Sequence, residues 1–157
     1  MKKKCLTPGF VAILIFLANM TYGQEARYSS FETWENLATV SYEITEDAYG
    51  EVNVPVFNDK IKAMEGQEVV VPGYMVPADG LNGVFQPKHF ILSSLPLSAC
   101  FFCGTGGAES VIEVYAEEPV EYTEEPVQLR GTLVLNAHDT YQLMYILEDA
   151  EYLGKIE

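Results

Sequence analysis

Basic side chains are scarce in this chain: nine Lys+Arg stand against 23 Asp+Glu in 157 residues, a formal net charge of −14. So negative a surface repels nucleic acid and anionic lipid headgroups. Tyrosine and phenylalanine are plentiful, yet without a basic groove they make no nucleic-acid platform. Histidine occurs twice, as His89 and His138, and cysteine three times, as Cys5, Cys100 and Cys103. No apolar run reaches the roughly 20 residues that a membrane-spanning helix needs. The stretch Phe10 to Ala18 falls short of it and follows Lys2, Lys3 and Lys4.

That opening reads as a cleaved secretory signal over residues 1–23, with Thr21 and Gly23 as the small residues before a cut at Gln24. An uncleaved anchor is the alternative. Cys5 precedes the apolar stretch, so it is not the acylated cysteine of a lipoprotein, and no lipid anchor is expected. The expected location is the periplasm or the extracellular space. Residues 24–157 are an ordinary length for one domain. Three of the nine basic residues leave with the signal, so the net charge moves from −14 to about −17. Most of these carboxylates are explained by solubility alone.

Residues 24–66 read as helix and strand decoration. Ser29 to Glu32 has capping-box spacing and Phe31, Trp34, Leu37 and Ala38 follow at helical intervals, predicting a helix over 30–38. Val40, Tyr42 and Ile44 alternate as a strand, Asp47 to Gly50 turns, and Val52 to Val54 is extended. Phe57, Ile61 and Met64 line one face of a short helix closed by Gly66.

Residues 67–150 read as β-structure. Glu68 to Val76 is a strand interrupted by Pro72-Gly73, which suggests a bulge or bend. His89 to Ser93, Ser110 to Tyr115, Val127 to Leu135 and Tyr141 to Leu147 supply four more, with 151–157 as a tail. The connection Glu117 to Pro126 is acidic and carries prolines, so it should be solvated and non-helical. The fold class is mainly β: a small, OB-like, partly closed five-stranded barrel with short N-terminal helices. An open antiparallel sandwich is the alternative. The missing helix between the third and fourth strands departs from the standard OB layout.

The run Gly66 to Pro77, then His89 to Leu92, then the Cys100–Cys103 loop resembles an uncharacterised family of exported bacterial proteins, a domain of unknown function with a Gly-Tyr-Met-x-Pro element and a cysteine loop. Trp34, Leu37 and the Phe57–Met64 helix fit it too, so the likeness covers most of 31–150. The resemblance implies an exported OB-like domain encoded near transport systems, some of them for metal uptake. It supplies no catalytic residue.

The chemistry concentrates in Cys100-Phe101-Phe102-Cys103, which opens into Gly104-Thr105-Gly106-Gly107. If successive strands run up and down, the loops 95–109 and 136–140 emerge at one end. His138 and Asp139 then approach Cys100 and Cys103, with Glu109 nearby, while His89 lies about 17–20 Å away at the other end. Two thiolates, an imidazole and a carboxylate suit zinc, and thiolates with imidazole suit copper. No second Cys or His pair of a strong zinc signature follows. The plain alternative is a Cys100–Cys103 disulfide, since a β-turn brings its ends within about 7 Å and exported proteins meet an oxidising environment. Thiol–disulfide exchange is a further alternative, weakened by the acidic surroundings and the lack of a thioredoxin-like βαβ pattern.

Other motifs fall short. The glycine run lacks the lysine and following helix of a phosphate loop. No serine sits in a nucleophile-elbow pattern. The expectation is therefore a non-enzymatic binding protein. Its partner is a zinc or copper ion, or else another exported or membrane protein, such as a transport system, held by a disulfide-stabilised domain. Phe101, Phe102, Tyr74 and Met75 could supply an apolar patch for such a protein.

Overall fold

A computed structural model describes residues 30–47, 50–78, 83–96, 98 and 106–156. The order of elements is α1 (Ser30–Leu37), β1 (Ser41–Asp47), β2 (Gly50–Val56), α2 (Asp59–Lys62), β3 (Glu68–Pro77), β4 (His89–Ser93), a 3-10 turn (Ala108–Ser110), β5 (Val111–Ala116), β6 (Val127–Leu135) and β7 (Tyr145–Lys155). The signal reading of residues 1–23 lies outside the described residues, as do Cys100 and Cys103.

Five strands close into a barrel in the order β3-β4-β5-β7-β6, so the mainly β barrel expected from the sequence forms, closed fully rather than in part. Every pair is antiparallel except β5 with β7. Alternation fills the interior: Val69, Val71, Phe90, Leu92, Ile112, Val114, Val127, Leu129, Leu133, Tyr145 and Leu147 are all buried in one cluster. The connection 117–126 contains no helix, in line with its prolines and charge.

β3 shows how one strand serves two neighbours. Glu68 to Gly73 pair with β6, and Tyr74 to Pro77 pair with β4. The changeover falls at Pro72-Gly73, and the register runs through it without a bulge. Gly73 is needed there because a Cβ would lie 2.6 Å from the Ser93 carbonyl oxygen and 2.7 Å from Leu92 Cγ. Before β4 begins, α1 takes over the exposed edge of β3. Thr33 Oγ1 donates to the Val70 carbonyl at 3.1 Å, and Trp34 Nε1 donates to the Pro72 carbonyl at 2.6 Å.

The bulges lie on β7 instead. Leu147 and Ala150 both face the core across an extra residue, with Asp149 at φ 50°, and the register slips against both β5 and β6 at this point. Asp tolerates this left-handed conformation better than most residues. β7 also begins later and runs further than its alternation suggests. Residues 141–144 are loop, and residues 151–155 are strand paired along β6 as far as Val127 opposite Lys155.

The N-terminal decoration follows its side-chain spacing. Phe57, Ile61 and Met64 are buried, Asn58 Oδ1 caps α2 by accepting the Lys60 and Ile61 N–H groups, and Gly66 sits at φ 67°. The β1–β2 hairpin is a separate two-stranded sheet.

Candidate functional site at one rim of the barrel

The strand directions fix which loops meet. β4 and β6 run the same way, both antiparallel to β3, so the β4–β5 and β6–β7 connections leave the barrel at the same end. The cysteine-bearing segment is pinched at its base, where Ser94 N–H donates to the Ser110 carbonyl at 2.9 Å and Ser94 Oγ to the same oxygen at 3.2 Å. Glu109 points across the rim to β1, accepting the Tyr42 hydroxyl at 3.2 Å, and that hydroxyl lies 3.8 Å from Met144 Sδ. Burial, then the Glu109 charge and the hydrogen bond to it, push the Tyr42 phenol up to about 12.

The β6–β7 loop is organised by Asn136. Its Oδ1 accepts the N–H groups of His138 (3.1 Å) and Asp139 (2.8 Å). Its Nδ2 donates to the carbonyls of Asp139, Gln142 and Leu143. Asp139 Oδ1 in turn accepts the Tyr141 N–H at 2.9 Å. Side chains thus take the backbone groups of 138–143 that a strand ladder would otherwise use, which is why β7 starts at Tyr145. His138 and Asp139 stand exposed at the apex. Between this loop and Val52 to Pro55 of β2 lies a cleft of about 340 Å³, which Met144 also lines.

The Cys100, Cys103, His138 and Asp139 set is therefore seen only from its described half: the loop of His138 and Asp139 and the stem of the cysteine segment share one rim. Among the described residues, no group of three His, Cys, Asp or Glu side chains is disposed to hold a metal ion. Glu109 is engaged by Tyr42.

A second polar cluster escaped sequence reading. On the outer surface of the barrel, Glu113 of β5 is buried, and its Oε1 accepts His89 Nε2 and the Tyr115 hydroxyl, each at 2.8 Å. The His89 and Tyr115 rings stack with centroids 4.6 Å apart. Gln142 Nε2 donates to the Tyr115 oxygen at 3.1 Å, and Leu143 N–H to Glu113 Oε2 at 2.9 Å. Burial leads in raising the Tyr115 pKa, against the lowering effect of Gln142. The loop that carries His138 thus folds back along the barrel, where Leu143 packs on Val76, Ile91 and Val111, and it shares Glu113 with His89. His138 stands exposed on the loop, whereas His89 lies on β4 and is linked to the loop through Glu113. The only signal in the sequence was the i, i+2 spacing of Glu113 and Tyr115 on a strand, which sets both on one face.

No family model matches the chain, and no curated protein matches it. Among solved structures the chain is similar to a DUF3299 family protein from Pseudomonas aeruginosa PAO1, at 22% sequence identity and a TM-score of 0.48. The likeness covers 62% of this chain and 66% of that one, so this chain spans just under two thirds of its neighbour's length.

Proposed function

We propose that the protein is an exported, non-enzymatic binding module that takes a soft transition metal, zinc or copper, at the rim where the cysteine segment and the His138 loop emerge. Residues 1–23 serve as its cleaved signal. Cys100 and Cys103 supply thiolates, His138 an imidazole and Asp139 a carboxylate, a donor set that matches four-coordinate Zn²⁺ or thiolate-rich Cu⁺. The observation that carries this reading is the strand order, in which β4 and β6 both run antiparallel to β3, so that their following loops share one end. The Asn136 knot adds weight, because it presents His138 and Asp139 outward on a braced loop instead of spending them in the core.

The test is titration of the reduced protein with Zn²⁺ and with Cu⁺, each against a chromophoric competitor. The expected result is tight binding that falls about 100-fold or more in Cys100→Ser/Cys103→Ser and about tenfold in His138→Ala. Equal affinity in the double variant would end the proposal. Intact mass after thiol alkylation of the exported protein identifies the competing case, a Cys100–Cys103 disulfide, by two missing adducts.

A further inference from the structure

Between Arg27 and Lys60 the sequence holds no basic residue, and the hairpin within that stretch carries Glu43, Glu46, Asp47 and Glu51. β1 pairs with β2 and, among the described residues, with no other strand. Ser41 to Glu46 are all exposed, and Ile44 keeps 70% of its surface open. The outer edge of β1 therefore presents unpaired backbone donors and acceptors, with no Pro, Lys or bulge to blunt it.

The hairpin's own register makes this arrangement costly. Glu46 lies directly opposite Glu51, a like-charge cross-strand pair that destabilises a sheet. Two-stranded hairpins are marginal in water even without such a pair. Near its base the Tyr42 hydroxyl ties it to Glu109 at the barrel rim, while Asn58 to Thr39 joins the two ends of the hairpin to each other. A second copy of the chain is a poor occupant, because β1 laid against β1 would add further carboxylate to carboxylate contacts. A cationic strand removes the repulsion and satisfies the edge together.

We infer that β1 is a docking edge for an extended, Lys- or Arg-bearing segment of another protein. That segment adds as a third strand, its cations against Glu43, Glu46 and Glu51 and an apolar side chain over Ile44. Main-chain hydrogen bonds supply affinity in such strand addition, and the alternating side chains supply selectivity. The inference is independent of the metal reading.

The probe is the capped peptide TKKVKKT, followed by amide chemical shifts of the isotopically labelled full chain without its signal, at near-physiological salt. Shifts should centre on Ser41–Asp47. A peptide of equal charge with proline at alternate positions should bind about tenfold more weakly, since it cannot form the ladder. Glu46→Gln/Glu51→Gln should stabilise the hairpin yet weaken the peptide several-fold, a pair of outcomes that loss of folding cannot produce. The inference is overturned if TKKVKKT does not bind, if the proline peptide binds as well, or if the shifts fall elsewhere. Concentration-dependent dimerisation through β1 in sedimentation would likewise overturn it, marking the edge as a self-interface.

Discussion

Glu113 and Leu143 are 30 residues apart in sequence and joined by a 2.9 Å hydrogen bond from the Leu143 N–H to Glu113 Oε2. Because the other oxygen of the carboxylate already accepts His89 and Tyr115, one buried group ties the β6–β7 loop to the outside of β4 and β5. Glu113→Ala leaves the Leu143 N–H without its acceptor and should cost about 1–3 kcal/mol in urea unfolding. Glu113→Gln retains one acceptor and should cost less. Hydrogen exchange at Leu143 should speed up in both, ahead of amides in β3 and β6. Unchanged protection at Leu143 in the Ala variant would show that the loop is held by Leu143 packing alone.

Much of the barrel was legible because its strands alternate cleanly. Val127, Leu129, Leu133 and their neighbours in β3 announce one buried face, and Phe57, Ile61 and Met64 announce another at helical spacing. β7 departs from its alternation for a physical reason. Tyr141, Leu143, Tyr145 and Leu147 alternate too, but Leu143 faces the outer surface from a loop whose backbone groups are taken by Asn136, Asp139 and Glu113. The bulge at Asp149 then resets the alternation, so Ala150 faces the core where simple period two puts Asp149. Of the candidate site, the shared rim followed from strand parity. The Glu113 cluster did not, since a glutamate among apolar strand residues says nothing about a backbone partner 30 residues on.

Gly73 and Gly66 separate two reasons for glycine. At Gly73 a Cβ meets backbone at 2.6 Å, whereas at Gly66 nothing lies within 4 Å and only the φ of 67° disfavours a side chain. Gly66→Ala should cost about 1 kcal/mol from the left-handed conformation alone. Gly73→Ala must displace Ser93 or Leu92 and should cost about 2–3 kcal/mol. Thermal unfolding of the two variants side by side checks the order, and a larger loss at Gly66 would contradict the close approach of β3 and β4.

Alkaline pH should unfold the protein through its phenols. Tyr42 titrates near 12 in the folded chain against 10 when free, and Tyr145, whose hydroxyl donates to the Leu37 carbonyl at 2.8 Å, is raised further, chiefly by burial. Below pH 10 both states hold their phenolic protons, and this contribution to stability is constant. Between 10 and about 12 the unfolded chain loses protons that the folded chain retains, so stability falls as pH rises. Denaturant midpoints measured from pH 9 to 12 should decline, and less steeply in Tyr42→Phe and Tyr145→Phe. A wild-type midpoint that stays flat over this range would refute the assigned environments.

Trp34 is the chain's single tryptophan, so its emission reports on α1 alone. Its Nε1–H to the Pro72 carbonyl holds α1 on the edge of β3. Trp34→Phe keeps most of the ring packing and loses that bond, for an expected cost of about 1 kcal/mol. In the wild type, emission should shift to the red in the same transition that melts the barrel. A separate, earlier red shift would show α1 detaching by itself, leaving the Val70 and Pro72 carbonyls to water.

Asn136 connects the loop's shape to the proposed metal site. Its amide accepts two backbone N–H groups and donates to three carbonyls, so Asn136→Ala releases the turn that presents His138 and Asp139. The loop is partly exposed and water can replace several of these partners, so the stability cost should stay near 1 kcal/mol. Zinc affinity should fall further than that, because an imidazole on a loosened loop must be ordered before it can bind. A tenfold or greater loss in competition titration, with the unfolding midpoint shifted only slightly, is the expected pair of results. If hydrogen exchange shows the loop loosened and the affinity is nevertheless unchanged, His138 is no ligand, and any metal held by Cys100 and Cys103 draws its remaining donors from elsewhere.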